Sequence, residues 1–211
     1  MKNNKHEDPE IAEILHRLGL DSLEWEFSTD SKVLAWECST DKSVTHKYTE
    51  IYARLLSKYR VLPQINFLEI GVLYGGSAAL WSNYLPNAEL IFMDNIKRIQ
   101  PKALTLIDHD RTSFYWGDAY AEAAVDWTKH MVGMLDFAID DGPHTLESMT
   151  QFLRLYLPLM NPGGTMVIED VTDYSWFELL EKHVPSHCTV ERWDISKETG
   201  RWDDRMFIVY L

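Results

Sequence analysis

The segment Leu68-Glu69-Ile70-Gly71-Val72-Leu73-Tyr74-Gly75-Gly76-Ser77 decides how the chain is read. It carries an apolar run, residues 65–70, into a glycine-rich turn and then into helical spacing over about 77–85. Such a strand, turn and helix open an α/β unit. Glycines let a backbone approach a ligand closely, and the first amides of the following helix point at it. A dinucleotide fingerprint would need glycine at position 73, where Leu73 stands; the spacing is instead acidic-x-Gly-x-x-x-Gly.

Downstream the pattern repeats. Short apolar runs at 89–93, 112–116, 134–139 and 164–168 alternate with helical stretches at about 98–107, 119–131 and 145–158. Alternation of this kind predicts right-handed crossovers and a parallel sheet with helices on both faces. The runs are apolar nearly throughout, as strands covered on both faces must be. Pro162-Gly163-Gly164 predicts a turn that launches the fifth strand. Residues 189–193 and 206–211 read as two last strands. The polar stretch between them is too short for a crossover helix, so they form an antiparallel hairpin at one end of the sheet.

Upstream, Ile11, Ile14, Leu15 and Leu18 mark one face of a helix that stops at Gly19. Residues 21–45 have no clear period but hold Trp25, Phe27, Leu34 and Trp36, and read as an ordered, partly aromatic loop. Tyr48, Ile51, Tyr52, Leu55, Leu56 and Tyr59 mark a second amphipathic helix that ends near Pro63. The expected architecture is α/β: a doubly wound, mostly parallel seven-stranded sheet with an antiparallel C-terminal hairpin. A helical N-terminal extension, residues 1–62, precedes residues 63–211 as one globular unit.

Composition narrows the function classes. With 45% hydrophobic and 25% charged residues over 211 positions, the chain has an ordinary globular balance. Its net charge of −13 repels phosphate backbones and anionic membrane surfaces, so neither nucleic acid nor membrane is an expected partner. A small neutral substrate, or a cation that gathers carboxylates, fits better. The 8 Trp and 10 Tyr suit the flat faces of sugars and purines, and suit core packing as well. The apolar runs are too short to cross a bilayer. Residues 1–9 are polar and lack an apolar signal-like core, so no export is expected. Cys38 and Cys188 lie far apart without metal-ligand spacing and read as reduced thiols of a cytoplasmic protein.

In an open parallel sheet, ligands sit beyond the carboxyl ends of the strands. Asp94 ends the second strand, 23 residues after Gly71, where a carboxylate accepts the hydroxyls of an adenosine ribose. Asp118, after the third strand, could accept from an adenine amino group or cap the next helix. The fourth strand runs into Asp140-Asp141-Gly142-Pro143-His144 and the fifth into Glu169-Asp170. If those strands are neighbours, they lie about 4.8 Å apart and four carboxylates share a small area. Like charges that close raise one another's pKa unless something positive sits among them. All-oxygen ligation selects a hard divalent cation, with magnesium the expected ion.

Taken together, these residues resemble the class I S-adenosylmethionine-dependent methyltransferases. Within them the chain is most similar to the metal-dependent sugar O-methyltransferases that decorate macrolides and related glycosides. Thr40-Asp41-Lys42-Ser43, with His46, Tyr48 and Tyr52, resembles that family's TDKG stretch and the helix after it; Leu68 to Ser77 resembles its cofactor loop. Asp140 to His144 and Val167-Ile168-Glu169-Asp170 resemble its DDGSH and IED motifs. Leu73 stands where relatives often have glycine, and Pro143 where they have serine.

The resemblance implies a Rossmann-like fold and an O-methyltransferase that uses S-adenosylmethionine and magnesium. Asp141, Glu169 and Asp170 would hold the cation, and His144 would be the base. Glu69, Gly71, Ser77, Asp94 and Asp118 would line the cofactor, with Asp41, Lys42, His46 and Tyr48 closing over it. A catechol or phenol O-methyltransferase is the nearest rival. A nicotinamide-dependent dehydrogenase is disfavoured by Leu73, and a non-catalytic binding module by the intact acids and His144. The sugar, the hydroxyl and the oligomeric state stay open.

Overall fold

The computed structural model describes residues 9–20 and 40–211. In chain order the elements are α1 (Pro9–Leu18), α2 (Asp41–Val44), α3 (Thr49–Arg60), β1 (Ile65–Ile70), α4 (Gly76–Tyr84), β2 (Ala88–Asp94) and α5 (Pro101–Leu106). There follow β3 (Thr112–Trp116), α6 (Glu122–Val132), β4 (Leu135–Asp140), α7 (Leu146–Tyr156) and β5 (Met160–Ile168). The last are α8 (Trp176–Glu181), β6 (Thr189–Asp194), α9 (Ser196–Thr199) and β7 (Arg205–Tyr210). No described helix is long and apolar enough to cross a membrane.

The residues cluster in two compact units. One combines the described part of the segment up to Leu62 with Leu73–Pro86 and Arg98–His109, so that α1, α2 and α3 group with α4 and α5. Its packing follows the apolar stripes: Ile11, Ile14 and Leu15 of α1 are buried, and so are Ile51, Tyr52, Leu55, Leu56 and Tyr59 of α3. Tyr52 meets Trp81 edge to face with ring centroids 5.0 Å apart. α1 stops where the Gly19 amide turns back to the His16 carbonyl and Leu20 to Leu15. Arg60, in the last turn of α3, pairs with Glu10 and donates Nε to the Tyr84 carbonyl at 3.0 Å.

The second unit holds the sheet, in the order β3-β2-β1-β4-β5-β7-β6. The first five strands are parallel; β7 runs antiparallel between β5 and β6. The strand order reverses between β1 and β4, which is where such sheets place their ligands. Phe67 and Phe137, register partners on β1 and β4, stack with centroids 5.7 Å apart. Leu68, Ile70, Ile91, Met93, Ala138, Met166 and Ile168 join Met149, Phe152 and Tyr156 of α7 in one buried cluster.

Three expectations are corrected. Residues 21–39 lie outside the described residues, but the end of the expected 21–45 loop is helical. Thr40 caps α2, its hydroxyl accepting the Lys42 amide at 3.4 Å. Pro162-Gly163-Gly164 does not launch β5. The strand starts at Met160 and runs through those residues, absorbing them in a register shift opposite Leu135–Phe137. The hairpin linker holds the one-turn α9 rather than only loop. Sequence reading also passed over α8. Its buried residues, Phe177 and Leu180, make too short a stripe to show a period.

Candidate functional site

In the sheet unit the carboxyl ends of β1, β2, β4 and β5 bring the expected acids to one edge. Gly71 follows β1 with φ of +88°, and its amide bonds the Met93 carbonyl at 2.8 Å. A Cβ there would overlap the Asp141 carbonyl oxygen, so only glycine lets the β1 and β4 loops touch. Asp94 is nearly buried. Its Oδ2 accepts the Val72 amide at 3.3 Å and its Oδ1 accepts the Ile96 amide at 2.9 Å. The carboxylate thus clamps the turn after β1 to the turn after β2.

Asp118 is exposed, and its Oδ1 accepts the Tyr120 amide at 2.9 Å. It forms a turn before α6 rather than capping that helix, whose N-cap position is Ala121. Glu69 is wholly buried within β1.

β4 and β5 are adjacent and parallel, with Asp140 opposite Ile168. The Glu169 amide bonds the Asp140 carbonyl at 3.0 Å, and the Asp141 amide bonds the Ile70 carbonyl at 2.9 Å. These bonds hold the two acidic loops side by side. His144 Nε2 lies 3.1 Å from Asp141 Oδ1, and its Nδ1 lies 3.7 Å from Asp170 Oδ2. Asp141, His144 and Asp170 each offer a ligand atom within 4.8 Å of the others. Glu169, buried next to Asp170, is not part of that close group. The donor set, two acceptor-only carboxylates and one imidazole, suits a divalent cation.

His144 (φ +55°) and Asp170 (φ +53°) both sit in the left-handed region without being glycine. Backbone strain of this kind persists where the surroundings over-determine it, and it clusters at functional sites. Nor is His144 a helix cap. Thr145 fills that place, with its Oγ1 accepting the Ser148 amide at 3.1 Å and Ser148 Oγ accepting the Thr145 amide in return.

The electrostatics of the cluster follow from burial and crowding. Burial by itself would lower the His144 pKa. The Asp141 hydrogen bond and the charges of Asp141, Asp170 and Glu169 outweigh it and lift the imidazole to about 9. With the carboxylates acting alone, the direction is therefore upward. Asp140 points elsewhere. It is 2% exposed, and its Oδ1 accepts the Tyr120 hydroxyl at 2.5 Å. Burial pushes this carboxyl up to about 7 against the opposing pull of the Tyr120 bond and His144.

A carboxyl whose folded pKa is raised stabilises the fold fully below its unfolded value, near 3.8, and loses that contribution as pH rises through about 7. At about 1.4 kcal/mol per pKa unit, the loss between those limits is on the order of 4 kcal/mol. Urea unfolding in chelator is therefore expected to show stability falling over that window. Asp140→Asn should flatten the profile, and an equal slope in both proteins would refute the assignment.

The other expected residues lie in the helical unit. Asp41 Oδ2 is 3.7 Å from His46 Nε2, and His46 stacks on Tyr48 with centroids 5.1 Å apart. The Tyr48 amide bonds the Lys42 carbonyl at 2.7 Å, and Lys42, His46 and Tyr48 are all buried. Burial would raise the Asp41 pKa, but the His46 bond and the charges of Lys42 and His46 hold it below its ordinary value. Ser77 is buried in the first turn of α4. Leu73, where relatives often have glycine, takes φ of +46°. Tyr120 was not anticipated. No local motif announces it, because β3 and β4 are separated by two strands in the sheet.

This strand order, with its antiparallel seventh strand and acidic switch point, defines a class I methyltransferase fold. Residues 68–171 match the family model described as a methyltransferase domain. Among curated proteins, it is 29% identical over 152 residues to mycinamicin VI 2''-O-methyltransferase of Micromonospora griseorubida, covering 68% of this chain and 36% of that one. It is 26% identical over 170 residues to rhamnosyl O-methyltransferase of Mycobacterium tuberculosis H37Rv, covering 76% and 63%. The chain thus spans between about a third and two thirds of the length of these relatives. Among solved structures, MycE methyltransferase from the mycinamycin pathway, in complex with Mg and SAH, has a TM-score of 0.63 at 21% identity. That match covers 95% of this chain and 54% of MycE.

Proposed function

We propose that this chain transfers the methyl group of S-adenosylmethionine to a hydroxyl of a sugar or glycoside, using a magnesium ion at the carboxylate cluster. The observation that carries this reading is the convergence of Asp141, His144 and Asp170 at the ends of two adjacent parallel strands. The names of the relatives, a mycinamicin and a rhamnosyl O-methyltransferase, support the acceptor class. Asp141, Asp170 and the neighbouring Glu169 hold the cation. Glu69, Gly71, Ser77, Asp94 and Asp118 bind the cofactor, which Asp41, Lys42, His46 and Tyr48 close over. The cytoplasm, where Cys188 stays a free thiol, is the expected place of action.

When bound, the cofactor supplies a methyl group on a positive sulfur, and the cation acidifies and orients the acceptor hydroxyl. The chain's own work is alignment and proton transfer. Asp141 engages Nε2 of His144, which leaves Nδ1 to take the proton of an acceptor hydroxyl that would be methylated by the bound cofactor. Asp94 keeps the glycine turn in place and would accept from the ribose hydroxyls.

Calorimetry is expected to show S-adenosylhomocysteine binding. Asp94→Ala should weaken it roughly ten- to a hundredfold, the equivalent of about 1.5–3 kcal/mol for a hydrogen bond to a charged group. Binding of NADH with no binding of S-adenosylhomocysteine would overturn the cofactor assignment. Labelled cofactor offered with rhamnosides, macrolide glycosides and catechols tests the acceptor. Label in a glycoside is the expected result; label in catechols alone would move the acceptor to phenols.

A further inference from the structure

Tyr120 stands four residues beyond the end of β3, yet its side chain reaches the loop after β4. Its hydroxyl donates to Asp140 Oδ1, and a Cβ on Gly142 would overlap that same hydroxyl. The phenol thus touches the residue before Asp141 through a side chain and the residue after it through bare backbone. Gly142 is not in the left-handed region, so its lack of a side chain answers to Tyr120 and not to backbone conformation. The same hydroxyl also meets the Ser148 side chain, in the capping box of α7.

We infer that Tyr120 is a positioning residue: it braces the 140–144 loop, and through it sets Asp141 and His144 in place for the cation. The inference rests on the cation site proposed above. Main-chain contacts restrain this loop: the Asp141 amide on the Ile70 carbonyl, the Glu169 amide on the Asp140 carbonyl, and the Asp141 carbonyl against Gly71. Tyr120 adds a bond that fixes a side chain. His144, at φ of +55°, holds a conformation uncommon for any residue but glycine and is kept in it by such restraints. With phenylalanine at 120, the Asp140 carboxyl keeps its burial and loses this donor. The strand end must then shift to rehydrate it. Outer partners that orient metal-binding groups matter for this reason.

The test is Tyr120→Phe in the full chain, with three measurements. Titration with Mn²⁺ followed by electron paramagnetic resonance should show affinity reduced about 10–100-fold, the usual cost of losing an outer-shell partner. Calorimetry should show S-adenosylhomocysteine affinity close to wild type. Hydrogen exchange of a peptide spanning 140–144 should speed up. Asp140→Asn, whose amide oxygen still accepts from the phenol, should keep most of the Mn²⁺ affinity, while Asp140→Ala should match Tyr120→Phe. Wild-type Mn²⁺ affinity and exchange in Tyr120→Phe would overturn the inference, as would equal losses of Mn²⁺ and S-adenosylhomocysteine. A wild-type protein that binds no Mn²⁺ would defeat the cation reading, and the exchange rates would then decide the brace alone.

Discussion

His144→Ala is expected to lower turnover by about 10²–10⁴-fold, the span general-base catalysis contributes. Mn²⁺ and S-adenosylhomocysteine should still bind. This combination matters because His144 stands within ligand distance of both Asp141 and Asp170. If the imidazole were a ligand, cation affinity would fall together with turnover. If it were only structural, turnover would stay near wild type, because Thr145 already caps α7. The pH–rate profile supplies a second readout. A base must be neutral to act, and three carboxylates push this imidazole up to about 9 when they alone surround it. Charge neutralisation by a cation should return the acidic limb of the cation-loaded enzyme toward the ordinary histidine range, near 6.5. The mutant should lack that limb.

Removing the cation should be at least as damaging. Thorough chelation is expected to abolish turnover, and added magnesium to restore it. Asp141→Ala and Asp170→Ala should each weaken Mn²⁺ binding by more than about 100-fold, the upper end seen for mere outer-shell partners. Glu169→Ala provides the contrast. Its side chain is outside the close group, so a smaller loss there would make it a supporting acid, whereas an equal loss would place it among the ligands. S-adenosylhomocysteine binding should survive in all three, because the expected ribose partner, Asp94, ends a different strand. Full turnover in chelator would remove the cation from the reaction.

Much of this arrangement is legible before any coordinates. β1 and β3 carry the bounds read from the sequence alone: β1 is buried almost throughout, and β3, half-buried at the edge of the sheet, is marked by its aromatic run. Gly71, Asp94, Asp141, His144 and Asp170 were legible as candidates because they stand at or just beyond the carboxyl ends of strands, where topology puts ligands. Other features depend on partners far away in sequence. The Tyr120–Asp140 bond needs the strand order, and Gly163 and Gly164 look like a turn until a neighbouring strand absorbs them. The role of Asp94 as a clamp on the Val72 amide likewise appears only once β1 and β2 are paired. The left-handed Leu73 leaves no trace in composition, since nothing about leucine favours that conformation.

The place of β7 has a consequence for synthesis. β6 precedes β7 in the chain, but β7 lies between it and β5. A nascent chain that has emerged through β6 therefore has nothing to pair that strand with, and β5 presents an open apolar edge. That edge is the strand running into Glu169 and Asp170. Until Arg205–Tyr210 leaves the ribosome, Val171 also lacks the Arg205 carbonyl that receives its amide. The acidic edge of the sheet is thus completed by a late insertion. The interval before it is when the chain is most exposed to sticking to its neighbours on the same message.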